Sequence, residues 1–459
     1  MGKKAAFHSL GCKVNSYETD AMRQSLMAAG YEEAPFAPGA DVYVINTCTV
    51  TNVADRKSRQ MLHRAKEMNP NAVVVAAGCY VHDSGDRLKK DPAVDIIVGN
   101  HEKGKLADIL ENYFNNLEQS KDISVTDINT VRDYDELAFV PVGEHTRAFV
   151  KIQDGCNQFC SYCMIPYVRG RVRSRRMEEI LREVRELSQR GYREVVLTGI
   201  HISSYGLDFD YPGTNRQTPD ASCAETNIHM TALIEQVSGI PGIDRIRLGS
   251  LEPGIITEEF VRKISSIPEF CPSFHLSMQS GCDATLARMK RKYRSADFAE
   301  KVNLIRRYFD NPAITTDIIA GFPGETEDEF AATLEFVKSI RFSRTHIFKY
   351  SVRQGTVAAR MPDQVPEKKK QARSAELLAI DKTAREDYAR GFLNCPVSVL
   401  FEERIVHDGE KYMKGYTREY IPVLLYTEDD LSNRILEVTP ENVTAQGELV
   451  STAVCGICK

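Results

Sequence analysis

Twelve cysteines punctuate the 459 residues, and three of them fall as C-x3-C-x2-C in Asp154-Gly-Cys156-Asn-Gln-Phe-Cys160-Ser-Tyr-Cys163. Thiolates at that spacing converge in one tight loop, and as soft donors they suit an iron–sulfur cluster. Three ligands leave one iron of a [4Fe–4S] cluster open. An open iron can take the amino and carboxylate groups of S-adenosylmethionine (SAM) and pass it one electron, giving a 5'-deoxyadenosyl radical. Structural zinc is the plainer alternative, but closed zinc sites pair two C-x2-C knuckles and no second knuckle sits nearby. Chance burial also fits poorly, because buried free cysteines favour apolar neighbours rather than Asp, Gly and Asn.

Three further cysteines share a placement. Cys12, Cys48 and Cys79 each follow an apolar strand-like run, in Phe7-His-Ser-Leu-Gly-Cys12, Val44-Ile-Asn-Thr-Cys48 and Val75-Ala-Ala-Gly-Cys79. Singly, a cysteine at a strand end is more often a small buried residue than a ligand. In an open parallel sheet, however, the strand C-termini share one edge, where three thiols can meet on a second cluster. Cys223, Cys271, Cys282 and Cys395 show no such pattern and read as structural or incidental; Cys455 and Cys458, in a C-x2-C tail, stay unassigned.

The elements that would position these groups follow from the apolar runs. In residues 1–115, Ala5–Leu10, Val42–Ile45, Val73–Ala77 and Ile96–Val98 alternate with polar, helix-favouring stretches. That pattern predicts an open α/β sheet domain with crossover helices. A polar stretch, 116–141, reads as a linker. From 142 to 375, runs at Ala148–Ile152, Glu194–Thr198, Arg245–Leu248, Ser273–Leu276, Ile314–Ala320 and Ser343–Phe348 alternate with helical segments, predicting a partial TIM-like (β/α)6 barrel. A connecting helix at 376–390, the end of a charged helical stretch from Glu367, then leads to β-branched runs over 391–453, read as a small antiparallel β-barrel, with a tail at 454–459.

Composition narrows the class without choosing the partner. With 42% hydrophobic and 27% charged residues and no apolar run of membrane-spanning length, the chain reads as a globular cytoplasmic protein with no membrane partner. Cytosolic thiols stay reduced, so ligation explains the cysteines better than disulfides. A net charge of −5 argues against coating nucleic acid by bulk charge, although local basic patches can serve a structured RNA.

At these residues the sequence resembles the methylthiotransferase family of radical SAM enzymes, whose chains join an N-terminal cluster domain, a radical SAM core and a C-terminal TRAM domain. The phrases that carry the resemblance are Ser9-Leu-Gly-Cys12-Lys-Val-Asn15, Asn46-Thr-Cys48, Gly78-Cys79, Asp154 to Cys163, and Ile165 to Gly170 with Ser174-Arg175. It implies two [4Fe–4S] clusters, one on Cys12, Cys48 and Cys79 and one, SAM-binding, on Cys156, Cys160 and Cys163. It further implies SAM contacts at Thr198, Gly199 and His201 near the methionine end, at Ser250 and Gln279 near the ribose or substrate, and at Gly321, Gly324 and Glu325 near the adenine. Within the family, Lys13-Val-Asn15, Lys151 to Gly155 and Lys414 to Thr417 resemble the branch acting on N6-threonylcarbamoyladenosine at position 37 of tRNA. The implied product is the 2-methylthio nucleoside, made with two SAM molecules: one methylates a sulfur held at the first cluster and one yields the radical. An electron donor and a sulfur source are implied as partners. One departure is the stretch Gly206–Met230, longer than the family's usual connection and read as a surface insertion.

An RNA substrate needs phosphate contacts and access to an unstacked loop base, as in an anticodon loop. Arg169, Arg171, Arg173 and Arg175 beside the radical loop, and Lys414 and Arg418 in the β module with Tyr416 and Tyr420, are the candidates. Further basic runs follow Cys48 and span Arg288 to Arg294; a solvated charged face is the bland reading of each. Sibling activities on isopentenyladenosine in tRNA or on an aspartate of a small-subunit ribosomal protein remain alternatives, as does a non-enzymatic iron–sulfur RNA-binding or redox-sensing protein.

Overall fold

The computed structural model describes residues 2–115, 122–137, 146–210, 224–407 and 409–456. Cys223, Cys458, the Cys455 side chain, and the 211–223 part of the expected insertion lie outside the described residues.

The N-terminal sheet has six parallel strands, β1 (Lys4–Ser9), β2 (Glu32–Glu33), β3 (Val42–Thr47), β4 (Val73–Gly78), β5 (Ile96–Val98) and β6 (Asp122–Ser124), ordered β2-β1-β3-β4-β5-β6. Both faces are covered. Tyr43, Ile45, Val74 and Ala76 enter one core, and Val42, Val44, Val73 and Val75 the other. Burial on both faces is why these strands read as unbroken apolar runs. Helices α1 (Lys13–Ala28), α2 (Asn52–Met68) and α3 (Cys79–Lys90) leave the C-terminal ends of β1, β3 and β4. β6 corrects the linker expectation: residues 122–124 pair in parallel with β5 as an edge strand.

The central region holds two four-stranded sheets. One is ordered β10-β9-β7-β8, from β7 (Arg147–Asp154), β8 (Arg173–Ser174), β9 (Glu194–Gly199) and β10 (Arg245–Leu248). The other runs β11-β12-β13-β14, from β11 (Ser250–Leu251), β12 (Ser273–Leu276), β13 (Ala313–Ala320) and β14 (Arg344–Lys349). All six expected strands are present, joined by the two-residue strands β8 and β11. A single large core, from Ala148 to Leu377, fills the space between strands and helices. The helix Glu367–Arg390 is continuous across the expected 375/376 boundary.

The C-terminal sheet has seven strands, β15 (Val397–His407), β16 (Glu410–Thr417), β17 (Pro422–Tyr426), β18 (Ile435–Val438), β19 (Asn442–Val443), β20 (Leu449–Ser451) and β21 (Val454–Gly456). Its pairings are antiparallel except β17 with β20. Among the described residues no helix is long and apolar enough to cross a membrane.

Candidate functional site

Cys12, Cys48 and Cys79 stand at the C-terminal ends of the neighbouring strands β1, β3 and β4. Two glycines let the loops close on one another. A Cβ at Gly11 (φ +101°) would stand 2.7 Å from Cys48 Sγ, and one at Gly78 (φ +98°) 2.6 Å from the Thr47 carbonyl oxygen. Asn15 Nδ2 donates to the Leu10 and Thr47 carbonyls (2.6 and 2.9 Å), and Asn46 Nδ2 donates to the Asn15 carbonyl (2.8 Å), so the motif asparagines tie loop to loop. Each thiol sits in the field of the others: burial, with Cys79 and Cys12 adding to it, pushes Cys48 up to about 11. Cys12 is likewise pushed up by burial, with Arg169 opposing. Protein surrounds Cys12 on most sides, yet it reaches the wall of an open cavity.

The second trio follows β7. Asp154 Oδ1 accepts from the Gly155 amide (2.7 Å), and Gly155 adopts φ +73° where a Cβ would stand 1.8 Å from the Arg171 carbonyl oxygen. Only glycine passes there. The Cys163 amide donates to the Cys160 carbonyl (3.1 Å), closing the turn. Each sulfur has one N–H aimed at it: Gln158 N to Cys156 and Ile165 N to Cys163, both 3.4 Å, and Arg291 Nη1 to Cys160, 3.2 Å. Such donors stabilise thiolates and tune a bound cluster. Burial, with Cys160 adding to it, pushes Cys163 up to about 12, so a cationic cluster is what makes these sulfurs good anionic ligands. Arg291 is held by Glu252 (2.7 Å). The sequence offered it as one of a run of surface charges.

Among the described residues no three His, Cys, Asp or Glu side chains close on a single ion. Thiolates that take different irons of one cluster stand farther apart than ligands sharing one metal. Both trios are sets of soft thiol donors, the chemistry that an iron–sulfur cluster takes.

Arg169 joins the two trios. Wholly buried, it donates from Nε to Cys79 Sγ (3.3 Å), from Nη1 to Asp154 (3.2 Å), and from Nη2 to Asn15 (2.6 Å) and Glu18 (3.0 Å). Lys151 bridges Glu18 (2.7 Å) and Asp154 (2.6 Å), and Lys103 also pairs with Glu18. Burial works against the charge of Glu18, but Arg169, Lys103 and Lys151 hold its carboxyl well below the usual range. The phosphate role expected of Arg169, Arg173 and Arg175 is corrected by this burial. Arg173 Nη1 serves the Arg169 and Arg171 carbonyls, and Arg175 pairs with Glu136 and Glu183. Arg171 is half-buried over the Phe159 ring at 4.4 Å. In the C-terminal sheet Lys414 faces Glu448 (3.4 Å), while Arg418 donates to the Phe270 carbonyl (2.8 Å) and so fastens this sheet to the central region.

A cavity of about 700 Å³ runs between the two central sheets, with Gly11, Cys12 and Lys13 on one wall and Glu419 to Pro422 on another. Thr198, Gly199 and Ser250 line it. His201 lies beside the radical loop: its Nε2 is 3.5 Å from Gln158 Nε2 and its Nδ1 2.7 Å from Ser204 Oγ. Burial lowers its pKa, favouring a neutral ring. Gln279 takes φ +72° and is pinned by β13, donating to the Asp317 carbonyl (2.8 Å). Gly321, Gly324 and Glu325 do not line this cavity. Glu325 accepts from the Gly321 amide (2.9 Å) and pairs with Arg373 (2.8 Å) of the helix Glu367–Arg390, a turn fastened from outside. Missed by the sequence reading are Thr315, Arg344, His346 and Phe348, which with His275 and Asp317 form the row that β12 to β14 present to the cavity. Period-two alternation within apolar strands was the available signal.

Residues 4–99 match the family model described as uncharacterized protein family UPF0004, and residues 150–337 that of the Radical SAM superfamily. The chain is 40% identical over 435 residues to the threonylcarbamoyladenosine tRNA methylthiotransferase MtaB of Bacillus subtilis (strain 168), covering 94% of this chain and 92% of that one. It is 33% identical over 460 residues to the tRNA-2-methylthio-N(6)-dimethylallyladenosine synthase of Thermoanaerobacter pseudethanolicus, covering 98% and 93%. Among solved structures, the radical S-adenosylmethionine methyltransferase TsrM of Kitasatospora setae aligns with TM-score 0.55 at 14% identity, covering 76% of this chain and 75% of that one; the likeness is one of fold.

Proposed function

This chain belongs to the methylthiotransferase family of radical SAM enzymes, and on that premise we propose that it converts N6-threonylcarbamoyladenosine at position 37 of tRNA to its 2-methylthio derivative. The observation that carries the reading is the pair of thiol trios, one per domain, joined through Arg169. Identity of 40% to the threonylcarbamoyladenosine enzyme favours that nucleoside.

When bound, a [4Fe–4S] cluster would supply the one-electron reduction of SAM, the radical chemistry needed to reach an unactivated C–H bond such as that at adenine C2. Cys156, Cys160 and Cys163 would hold it, and the three N–H donors would steady their charge. Cys12, Cys48 and Cys79 would hold a second cluster, where a sulfur is carried for methylation. Thr198, Gly199 and Ser250 would orient SAM in the cavity, and His201, neutral beside Gln158, would contact its methionine end. Gln279 would meet the ribose; Gly321, Gly324 and Glu325 would act on the adenine only by shaping the turn after β13.

The two central sheets read as halves of a partial (β/α)6 barrel and the C-terminal sheet as a TRAM module, with domains at 1–115, 142–375 and 391–453 and β6 assigned to the first. The anticodon loop would meet the outward basic groups that remain, Arg171 and Lys414 among them. An electron donor and a sulfur source complete the partners.

The test is an anaerobic incubation of reconstituted protein with SAM, reductant and threonylcarbamoyladenosine tRNA, followed by mass spectrometry of nucleosides. A methylthio increment is expected. Cys160→Ala should abolish 5'-deoxyadenosine formation, whereas Cys48→Ala should keep it and lose only the methylthio product. Equal loss of cleavage in both folded variants would refute the division of labour. The 33% identity to a dimethylallyladenosine enzyme gives the second reading: 5'-deoxyadenosine with no product on the first tRNA would favour it.

A further inference from the structure

The cavity wall formed by β13 and β14 follows strand alternation. Thr315, Asp317 and Ile319 pair with Arg344, His346 and Phe348 in register, and all six point to one face. Thr345, on the opposite face, donates to Asp381 of the helix Glu367–Arg390 (3.0 Å), so that face is closed. The row on β14 therefore runs cation, imidazole, aromatic ring along about 13 Å of strand. Phe348 is 48% exposed, and its exposure is to the cavity.

Most other cations on this wall are already neutralised. Arg247 pairs with Glu194 (2.7 Å), Arg147 with Glu402 (2.9 Å) and Arg385 with Asp381 (2.9 Å). His275 faces Asp317 at 3.3 Å. Lys13 lies over the Phe149 ring, next to Cys12. Arg344 differs: it reaches into the cavity, and among the described residues no carboxylate stands within ion-pair distance of it. It shares a face of β14 with His346, whose pKa burial and then Arg344 lower. The Arg344 guanidinium is exposed at the cavity wall and open to a ligand, and a bidentate carboxylate is the best complement of such a group.

We infer that Arg344 reads the carboxylate of the substrate's threonylcarbamoyl group and thereby sets the preference for an acidic N6 substituent over an apolar one. This rests on the function proposed above and adds the group that tells the two nucleosides apart. The base stacks at Phe348, the uncharged His346 ring faces the urea linkage, and the acid ends on Arg344. C2 faces the wall that carries Cys12, since the N6 substituent leaves the adenine ring in a different direction from the C2–H bond. An apolar dimethylallyl group in the same place would forgo that charge-assisted pair.

The test uses tRNA anticodon stem-loops carrying threonylcarbamoyladenosine either as the free acid or as its methyl ester, with reconstituted wild-type, Arg344→Ala and Arg344→Lys proteins. Kd is read by fluorescence anisotropy and kcat/KM by product mass. The wild type should favour acid over ester by about tenfold or more, Arg344→Ala should lose that preference, and Arg344→Lys should retain part of it. Equal handling of acid and ester by the wild type overturns the inference. So does undiminished preference in Arg344→Ala, or an equal loss on both substrates, which marks a phosphate contact. A wild-type enzyme inert on both stem-loops while cleaving SAM would instead sink the proposed substrate.

Discussion

Glu18 is a carboxylate in a place water does not reach, 1% exposed and ringed by Arg169, Lys103 and Lys151. Removing one member of such a network strands the rest. Glu18→Gln should cost about 3–5 kcal/mol, seen in the denaturant midpoint; a loss below about 1 kcal/mol would show that the cations find other partners. Because the carboxyl is held down in the folded state, its contribution is present above the unfolded carboxylate pKa and lost as pH falls toward the folded one. His82 adds to the same slope. Its Nε2 accepts from the Asn100 amide (2.9 Å), and burial, with Lys103 and Arg169 nearby, lowers it to about 4. The unfolded state then binds more protons between about pH 6.5 and pH 4, so stability falls on acidification by at most about 3 kcal/mol. His82→Gln should flatten that part of the profile, and an unchanged slope would assign it to the carboxylates alone. Cys156, Cys160 and Cys163 were legible because their spacing is local, and Cys12, Cys48 and Cys79 because each follows an apolar strand-like run. The depth of Arg169 was not: its partner Glu18 lies 151 residues away, and a run of arginines looks the same whether it faces RNA or a buried acid.

The turn between β7 and Cys156 shows how little freedom an element's end can have. With a Cβ at Gly155 falling 1.8 Å from the Arg171 carbonyl, Gly155→Ala must displace the Cys156 loop or the segment beyond Gly170. We expect that variant to bind less iron on reconstitution and to melt earlier, whereas Gly85→Ala, with open space around it, should do neither. Iron content near that of the wild type in Gly155→Ala would mean the loop yields. The central strands of the N-terminal sheet, β3, β4 and β5, could be read from sequence because burial on two faces writes a nearly unbroken apolar run. The two-residue strands β2, β8, β11 and β19 carry too few residues for any period. β6 was taken for linker because edge pairing through the backbone asks nothing of its side chains.

Across the whole molecule the C-terminal sheet is fastened to the centre by arginines. Arg245 donates to the Tyr416 and Ser398 carbonyls (2.8 Å each), Arg247 to the Thr417 carbonyl (2.7 Å), and Arg147 lies over the stacked Tyr416 and Tyr420 rings. Aromatics that read as platforms for bases are thus partly spent on docking, something only the folded arrangement of two domains can show. The double variant Arg245→Ala, Arg247→Ala should loosen the module, exposing residues 391–396 to protease and splitting the melting transition; a single unshifted transition would mean the apolar contacts suffice. Arg169 has a consequence for descent. Its guanidinium draws partners from α1, the Asp154 loop and Cys79, so no crossover point between the first two domains leaves each parent's charge ledger intact. Where two relatives differ at Glu18, Lys103, Lys151, Asp154 or Arg169, a chain that exchanges one domain between them inherits half of a lock, so the five act as a single heritable block.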